Sequence, residues 1–234
     1  MKKFSHLLLA AFAAIMVGCS CPVDESVSSA AEVAGRVKDV WIDAENSAGV
    51  TLEENLLRSN IYIVFDCSGS MDGEKISVAK KAINKFSESI PEDTGLGLAI
   101  FDNSGLSERA SLGVNNRPQF GSLVNMASAG GGTPLHEAVV LGYTALRNQA
   151  KKQLGYGQYH LVIVTDGDAN PGHDPTRAVN QILADSPVVI HTIGFQIGER
   201  HALNRPGLTI YKDAQSPQDL AEGLQSVLAE SDTF

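Results

Sequence analysis

The chain has 234 residues, and its 27 Asp and Glu outnumber its 18 Lys and Arg, which gives a formal net charge of −9. Hydrophobic residues make up 43% of the sequence, an ordinary share for a globular domain. Because an acidic surface repels phosphate groups, this charge argues against nucleic acid or an anionic membrane surface as a partner.

The N-terminal segment has the features of a secretory signal. Lys2 and Lys3 precede an apolar run from Leu7 to Val17, and no acidic residue occurs before position 19. The run is shorter than the roughly 20 residues that a membrane-spanning helix needs. We therefore predict that residues 1–18 are a signal peptide.

A cysteine stands directly after this segment. The residues Met16, Val17, Gly18 and Cys19 resemble the cleavage motif of bacterial lipoproteins. The resemblance implies that Cys19 carries lipid, and more than one lipid chain is what stable anchoring requires. It also implies a location in the bacterial cell envelope. In such lipoproteins a Ser directly after the cysteine, here Ser20, favours sorting to the outer membrane. The alternative is a plain secretory signal that leaves a soluble protein.

The rest of the chain divides into a lipid-anchored tether with an N-terminal extension, residues 19–57, and a domain, residues 58–234. The tether begins with a stretch rich in Ser, Ala, Val and Glu, which is typical of a flexible spacer. Trp41 and Ile42 in the extension could pack on the domain.

The cysteines do not form a recognisable disulfide framework. Cys19 is assigned to the lipid, Cys21 lies in the tether, and Cys67 follows the first apolar run of the domain. We therefore expect Cys67 to be a small buried hydrophobic residue at the end of a strand.

The domain consists of short apolar runs that alternate with amphipathic stretches. Continuous apolar runs are typical of strands that are buried on both faces of a parallel sheet. The predicted strands are Ile61–Phe65, Leu96–Phe101, Leu161–Val164, Val188–Ile193 and Leu208–Tyr211.

The amphipathic stretches predict the helices. One stretch runs from Ile76 to Ile90 with apolar residues every three or four positions, and others begin at Pro134, near Pro175 and after Pro217. The repeated strand–helix–strand order predicts an α/β fold with a doubly wound, mostly parallel central sheet flanked by helices. Arg109–Val114 is predicted as one antiparallel edge strand.

Polar loops follow these predicted strands. In open α/β sheets, binding sites form outside the carboxyl ends of the strands. Asp66, Ser68 and Ser70 follow the first strand, and Asp166 follows the strand Leu161–Val164. A loop of three glycines ends in Thr133, directly before a predicted helix.

The three segments together resemble the von Willebrand factor A (vWA) family, whose signature is Asp-x-Ser-x-Ser, a later Thr and a later Asp. The residues matched, without substitution, are Asp66, Ser68, Ser70, Thr133 and Asp166. The resemblance implies a metal-ion-dependent adhesion site for one divalent ion, Mg²⁺ in the first place and Mn²⁺ or Ca²⁺ otherwise. It further implies that the hydroxyls of Ser68 and Ser70 contact the ion directly, that Thr133 does so in the ligand-bound form, and that the two aspartates act partly through water.

Hydroxyl and carboxylate oxygens suit such hard cations, and neutral hydroxyl ligands leave the ion electrophilic. A carboxylate of a partner could then complete the coordination. The alternative, that these are only turn and helix-capping residues, is less favoured for the five together.

Other residues near this edge are given minor roles. We expect Asp72, Asp102 and Asp168 to be solvated, and we expect His136 to be the histidine that overlooks the site. A short helix at Glu199–Asn204 is predicted before the last strand.

The favoured function is a non-enzymatic, envelope-tethered domain that binds an Asp or Glu of a protein or peptide through its metal ion. One alternative is a scaffold that the metal stabilises. Another is a serine hydrolase, but the sequence lacks the Gly-x-Ser-x-Gly pattern of a nucleophile elbow, and no catalytic base is indicated.

Overall fold

The computed structural model describes Trp41, Ile42 and residues 49–231. The predicted signal peptide, Cys19 and most of the tether lie outside the described residues. The described domain is built on one six-stranded sheet. Its strands are β1 Ser59–Asp66, β2 Gly95–Asp102, β3 Gly105–Gly113, β4 Gln158–Thr165, β5 Val189–Phe195 and β6 Ile210–Ala214.

The strand order is β3-β2-β1-β4-β5-β6. All neighbouring pairs are parallel except β2 and β3, which form an antiparallel pair at one edge. The mostly parallel sheet with one antiparallel edge strand confirms the predicted fold class. Because the chain extends the sheet in opposite directions from β1, the strand order reverses between β1 and β4, where open α/β sheets place their binding sites.

Five helices flank this sheet in the described part of the chain. They are α1 Glu74–Ser89, α2 Arg117–Met126, α3 Leu135–Lys152, α4 Thr176–Asp185 and α5 Pro217–Ser231. Four of them were predicted, and α1 ends as expected just before Pro91. None of the described helices combines the length and the apolar character that crossing a bilayer would demand.

The two faces of the sheet form two hydrophobic layers, because successive side chains of a strand point to opposite faces. Ile61, Ile63 and Phe65 of β1 pack in the layer that contains the apolar residues of α1, α2 and α5. Tyr62 and Val64 pack in the other layer, with α3 and α4. Burial on both faces explains why the strands appear in the sequence as continuous apolar runs.

Gly142 allows α3 to approach the sheet closely. A Cβ atom at this position would lie 2.5 Å from Leu161 Cδ1 and 3.1 Å from Tyr62 Cδ1. A larger residue would push the helix away from β1 and β4. The glycine therefore helps to fix α3, whose first residue follows the predicted site loop.

The expectation that Trp41 packs on the domain is confirmed. Trp41 is buried, and its ring lies 5.4 Å from the ring of Tyr159 and 5.9 Å from that of Tyr143, measured between centroids. Ile42 lies beside Gly155. Cys67 is also completely buried, as predicted.

One helix was not predicted and one predicted helix does not form. The helix that was not predicted is α2, whose Arg117 donates hydrogen bonds to the carbonyl oxygens of Ile90 and Thr94 and thereby holds the loop before β2. The predicted helix Glu199–Asn204 is instead a series of turns. Pro206 and Gly207 favour this irregular course, and Thr209 Oγ1 stabilises it by donating to the carbonyl oxygen of Leu203.

A buried pair of histidines joins β4 to β5. His160 Nδ1 and His191 Nε2 lie 3.1 Å apart, and both residues are almost completely buried. Desolvation lowers the pKa of His160 from 6.5 to about 4. Desolvation, together with the neighbouring His160, lowers the pKa of His191 to about 3. Both histidines are therefore neutral in the folded protein near neutral pH.

This pair should make the protein less stable in mild acid. As the pH falls below 6.5, the histidines of the unfolded chain take up protons while those of the folded chain do not. The free energy of unfolding should then decrease from pH 6.5 towards 4, by up to about 1.4 kcal/mol per pH unit for each histidine. Denaturant unfolding at several pH values measures this slope. The double variant His160→Leu, His191→Leu has a similar side-chain volume and should give a flatter profile, whereas identical slopes would contradict this explanation.

Candidate functional site

Three loops meet at the carboxyl edge of β1 and β4, and backbone hydrogen bonds hold them together. The amide of Gly130 donates to the carbonyl oxygen of Cys67 at 2.9 Å, and the amide of Gly69 donates to the carbonyl oxygen of Gly131 at 3.2 Å. The amide of Asn170 donates to the carbonyl oxygen of Thr133 at 3.1 Å. The glycine loop therefore connects the loop after β1 to the loop after β4.

Asp66 is the last residue of β1 and has no exposed surface. Its Oδ1 accepts the amide hydrogen of Ser68 at 2.8 Å, and its Oδ2 accepts the hydroxyl hydrogen of Thr165 at 2.6 Å. Thr165 is the last residue of β4, so this carboxylate links the two central strands. Sequence reasoning did not assign Thr165 a role, although its position directly before Asp166 placed it at the site.

Burial raises the pKa of Asp66, and the nearby charge of Asp166 raises it further. The hydrogen bonds from Ser68 and Thr165 act in the opposite direction. Because a buried carboxylate is costly without compensating charge, a cation placed at this edge would favour the ionised form.

Asp166 holds the second serine of the first loop. The Ser70 hydroxyl donates to Asp166 Oδ1 at 2.6 Å, and Ser70 Oγ lies 3.1 Å from Ser68 Oγ. The ammonium group of Lys75, on α1, contacts the other oxygen of Asp166 at 2.6 Å. The structure thus brings Asp66, Ser68, Ser70 and Asp166 together through a chain of short polar contacts.

Thr133 lies in the glycine loop between these two segments and is also buried. Its amide donates to Asn170 Oδ1 at 3.2 Å, while its carbonyl oxygen accepts the Asn170 amide. Asn170 therefore fixes the position of Thr133 by two hydrogen bonds, a role that was not identified from the sequence.

The glycines before Thr133 are required by close contacts. A Cβ atom at Gly131 would lie 2.9 Å from the carbonyl oxygen of Asp102, and the φ angle of Gly131 is +76°. A Cβ atom at Gly132 would displace the side chain of Asn170, which holds Thr133. At Gly131 the loop can follow its path only without a side chain.

The expectation that Asp102 is solvated was wrong. Asp102 is only 4% exposed, and both of its carboxylate oxygens lie 3.1 Å from Arg109 Nη2. The hairpin from β2 to β3 brings Arg109 back over Asp102, although the two residues are seven positions apart in the sequence. Asp72 and Asp168 are exposed, as expected.

A histidine other than His136 contacts the loop after β4. His201 Nε2 lies 3.1 Å from the carbonyl oxygen of Gly167 and 3.8 Å from Asp168 Oδ1. His201 belongs to the irregular segment before β6, which the sequence analysis treated as a helix. The misassigned segment explains why this residue was not placed at the rim.

The donor atoms of the site are oxygens only. Within the described residues, no group of three or more His, Cys, Asp and Glu side chains could hold a metal ion. The loops instead bring together two carboxylates and two hydroxyls, from Asp66, Asp166, Ser68 and Ser70, and the buried Thr133 lies at the end of the adjoining glycine loop. This set suits a hard divalent cation and does not suit a soft metal.

Known proteins share this architecture. A solved von Willebrand factor type A structure from Catenulispora acidiphila superposes with a TM-score of 0.61 at 20% identity, over 74% of this chain and 43% of that chain. The pilus adhesin SpaC of Lactobacillus rhamnosus GG superposes with a TM-score of 0.60 at 15% identity, over 77% of this chain and 31% of that chain. At these identities the likeness concerns the fold.

Comparison of sequences gives the family. An uncharacterized protein of Synechocystis sp., sll0103, is 26% identical over 137 residues, which cover 58% of this chain and 32% of that relative. This chain thus matches only about a third of the length of that relative. The family model of the von Willebrand factor type A domain matches residues 60–222, which include all three loops of the site. The chain therefore belongs to the von Willebrand factor type A domain family.

Proposed function

We propose that the three loops bind one divalent cation, Mg²⁺ in the first place, and that the domain uses it to bind an acidic residue of a protein partner. Ser68, Ser70 and Thr133 would hold the ion with their hydroxyl oxygens. Asp66 and Asp166 would balance its charge. The observation that supports this proposal most directly is the pair of buried carboxylates of Asp66 and Asp166. They hold the loop that contains Ser68 and Ser70, here called the serine loop, at the point where the strand order reverses.

The roles of the two aspartates follow from their hydrogen bonds. Asp66 orients the backbone of Ser68, and Asp166 orients the hydroxyl of Ser70. Their negative charges make this edge of the sheet attractive to a cation, while the three hydroxyls remain neutral ligands. A bound ion would supply an electrophilic centre that a partner's carboxylate completes.

A protein is the most suitable class of ligand for this domain. The similar fold of SpaC belongs to a protein described as a pilus adhesin, which supports a binding role. Specificity would lie in the loops around the metal, since loops on a rigid scaffold carry most binding residues. The acidic net charge disfavours phosphate-rich partners.

We further propose that lipid on Cys19 tethers this domain in the bacterial cell envelope, at the outer membrane. Residues 19–57 would then be the link between the lipid and the domain. The proposal rests on the lipoprotein-like motif that ends in Cys19.

The domain is proposed to be a binding module and not an enzyme. A serine nucleophile needs a base that accepts its proton. In the described part of the chain, the hydroxyl of Ser68 contacts that of Ser70, which donates to Asp166 and not to a histidine. Lys75 contacts the other oxygen of Asp166, so both oxygens of this carboxylate already have partners.

Ser68→Ala should weaken metal binding without unfolding the protein. The variant loses one hydroxyl ligand but keeps the amide that Asp66 accepts, so its midpoint of thermal unfolding in chelator should stay near that of the wild type. Calorimetric titration with Mg²⁺ and Mn²⁺ should show affinity at least about tenfold weaker, the loss expected for one ligand contact of roughly 1.4 kcal/mol. Ser77→Ala is the matched control, because Ser77 is exposed on α1.

A pull-down from envelope extract tests whether binding of a partner depends on the metal ion. The wild-type domain should retain a partner in Mg²⁺ and release it in chelator, and Ser68→Ala should not retain it. Capture that persists in chelator and in the variant would refute the adhesion mechanism. A metal-dependent rise in stability with capture unaffected by the variant would support the scaffold alternative.

Thr165→Val should destabilise the site without removing any proposed ligand. The substitution preserves side-chain shape but leaves Asp66 Oδ2 without its 2.6 Å donor in a fully buried position. We expect the free energy of unfolding in chelator to fall by about 1–3 kcal/mol. Thr144→Val, on the exposed face of α3, should change it by less than about 0.5 kcal/mol. Equal effects of the two substitutions in denaturant unfolding would show that Asp66 does not depend on Thr165.

A further inference from the structure

Lys75 occupies an unusual position for a lysine, because its ammonium group reaches into the site described above. It is the second residue of α1, and its Nζ lies 2.6 Å from Asp166 Oδ2. The lysine side chain is 30% exposed, whereas the Asp166 side chain is completely buried. The contact is therefore partly shielded from water, and its electrostatic energy exceeds that of an ordinary surface ion pair.

Neighbouring cationic side chains are engaged elsewhere. Arg109 contacts Asp102, and Lys80 donates to the carbonyl oxygens of Asn125 and Ala127. Among these three cations, Lys75 alone contacts a carboxylate of the proposed metal site. Its charge must therefore be included in the charge of that site.

The charges of the site can be counted with and without the ion. Asp66 and Asp166 contribute two negative charges and Lys75 one positive charge, so the site carries −1 without a divalent ion and +1 with it. Without Lys75 the same site would carry −2 and 0. The positive charge of Lys75 thus lowers the affinity of the metal-free site for a divalent cation. It also gives the metal-loaded site a net positive charge, which attracts an anion.

We propose that Lys75 determines the binding properties of the site in both directions: it weakens the binding of the divalent ion and strengthens the binding of a carboxylate ligand to the loaded site. The inference rests on the proposed function, since it concerns the same ion. Lys75 acts through Asp166, for which its ammonium group and the divalent ion compete. It adjusts the affinity of the site and is not itself a ligand of the ion.

Metal titration of the full chain tests the first half of this proposal. Protein stripped with chelator is titrated calorimetrically with Mg²⁺ and with Mn²⁺. Lys75→Met should bind both ions about tenfold more tightly, a change that one unit charge at a partly shielded site can produce. Lys75→Arg keeps the charge and should remain within about threefold of the wild type. Lys81→Met removes an equal charge from the exposed face of α1 and should also remain near the wild type.

Acetate serves as the probe for the second half. Paramagnetic broadening of the acetate carboxyl ¹³C signal by Mn²⁺-loaded protein gives the dissociation constant for acetate. That constant should be about tenfold higher for Lys75→Met than for the wild type and for Lys81→Met, at saturating Mn²⁺. Lys75→Gln, a polar replacement, should behave like Lys75→Met, and it provides the same comparison if the methionine variant folds poorly.

The outcomes distinguish this inference from the proposed function. If neither the wild type nor any variant binds Mg²⁺ or Mn²⁺, the proposed function fails and this inference fails with it. If the wild type binds the ions and the Lys75→Met and Lys75→Gln variants bind them equally or more weakly, the role of Lys75 is refuted while the metal site stands. Tighter metal binding with unchanged acetate binding would also overturn the proposal, because the charge count requires both changes.

Discussion

The architecture of the site depends on one buried carboxylate. Asp66 ends the central strand without exposed surface, and its two oxygens accept hydrogen from the Ser68 amide and the Thr165 hydroxyl. The first bond sets the direction in which the chain leaves β1, and the second joins β1 to β4. The serine loop, the glycine loop and the loop after β4 are all arranged around this residue. A neutral or larger side chain could not perform both tasks, since each needs an acceptor oxygen in a closely packed position.

The sequence predicted those features that depend on local pattern. Strands buried on both faces must be continuously apolar, so β1, β2, β4 and β5 were recognised within a few residues of their ends. Helices with a clear apolar stripe were recognised from the spacing of their apolar residues. The short helix α2 was missed, because only Phe120 and Val124 of its residues are fully buried and the helix adds little to the apolar pattern.

Features that depend on how the elements pack against each other were not predictable in this way. Asp102 looked like a solvated residue until the β2–β3 hairpin placed Arg109 over it, and His201 was assigned to a helix that does not form. Lys75 is one of several lysines on an amphipathic helix, and the sequence pattern does not distinguish it from the others. Its contact with Asp166 depends on the direction in which α1 leaves the serine loop. The sequence alone does not reveal that direction.

The burial of Trp41 fixes the edge of the sheet at which the preceding polypeptide reaches the domain. Trp41 packs against Tyr159, at the amino end of β4, whereas the three loops lie at the carboxyl ends of β1 and β4. The 8 residues of β1 separate these two edges by roughly 25 Å. The polypeptide before Trp41 therefore joins the domain at the edge opposite the candidate site. A ligand bound at the three loops and the polypeptide that precedes Trp41 would therefore lie at opposite edges of the sheet.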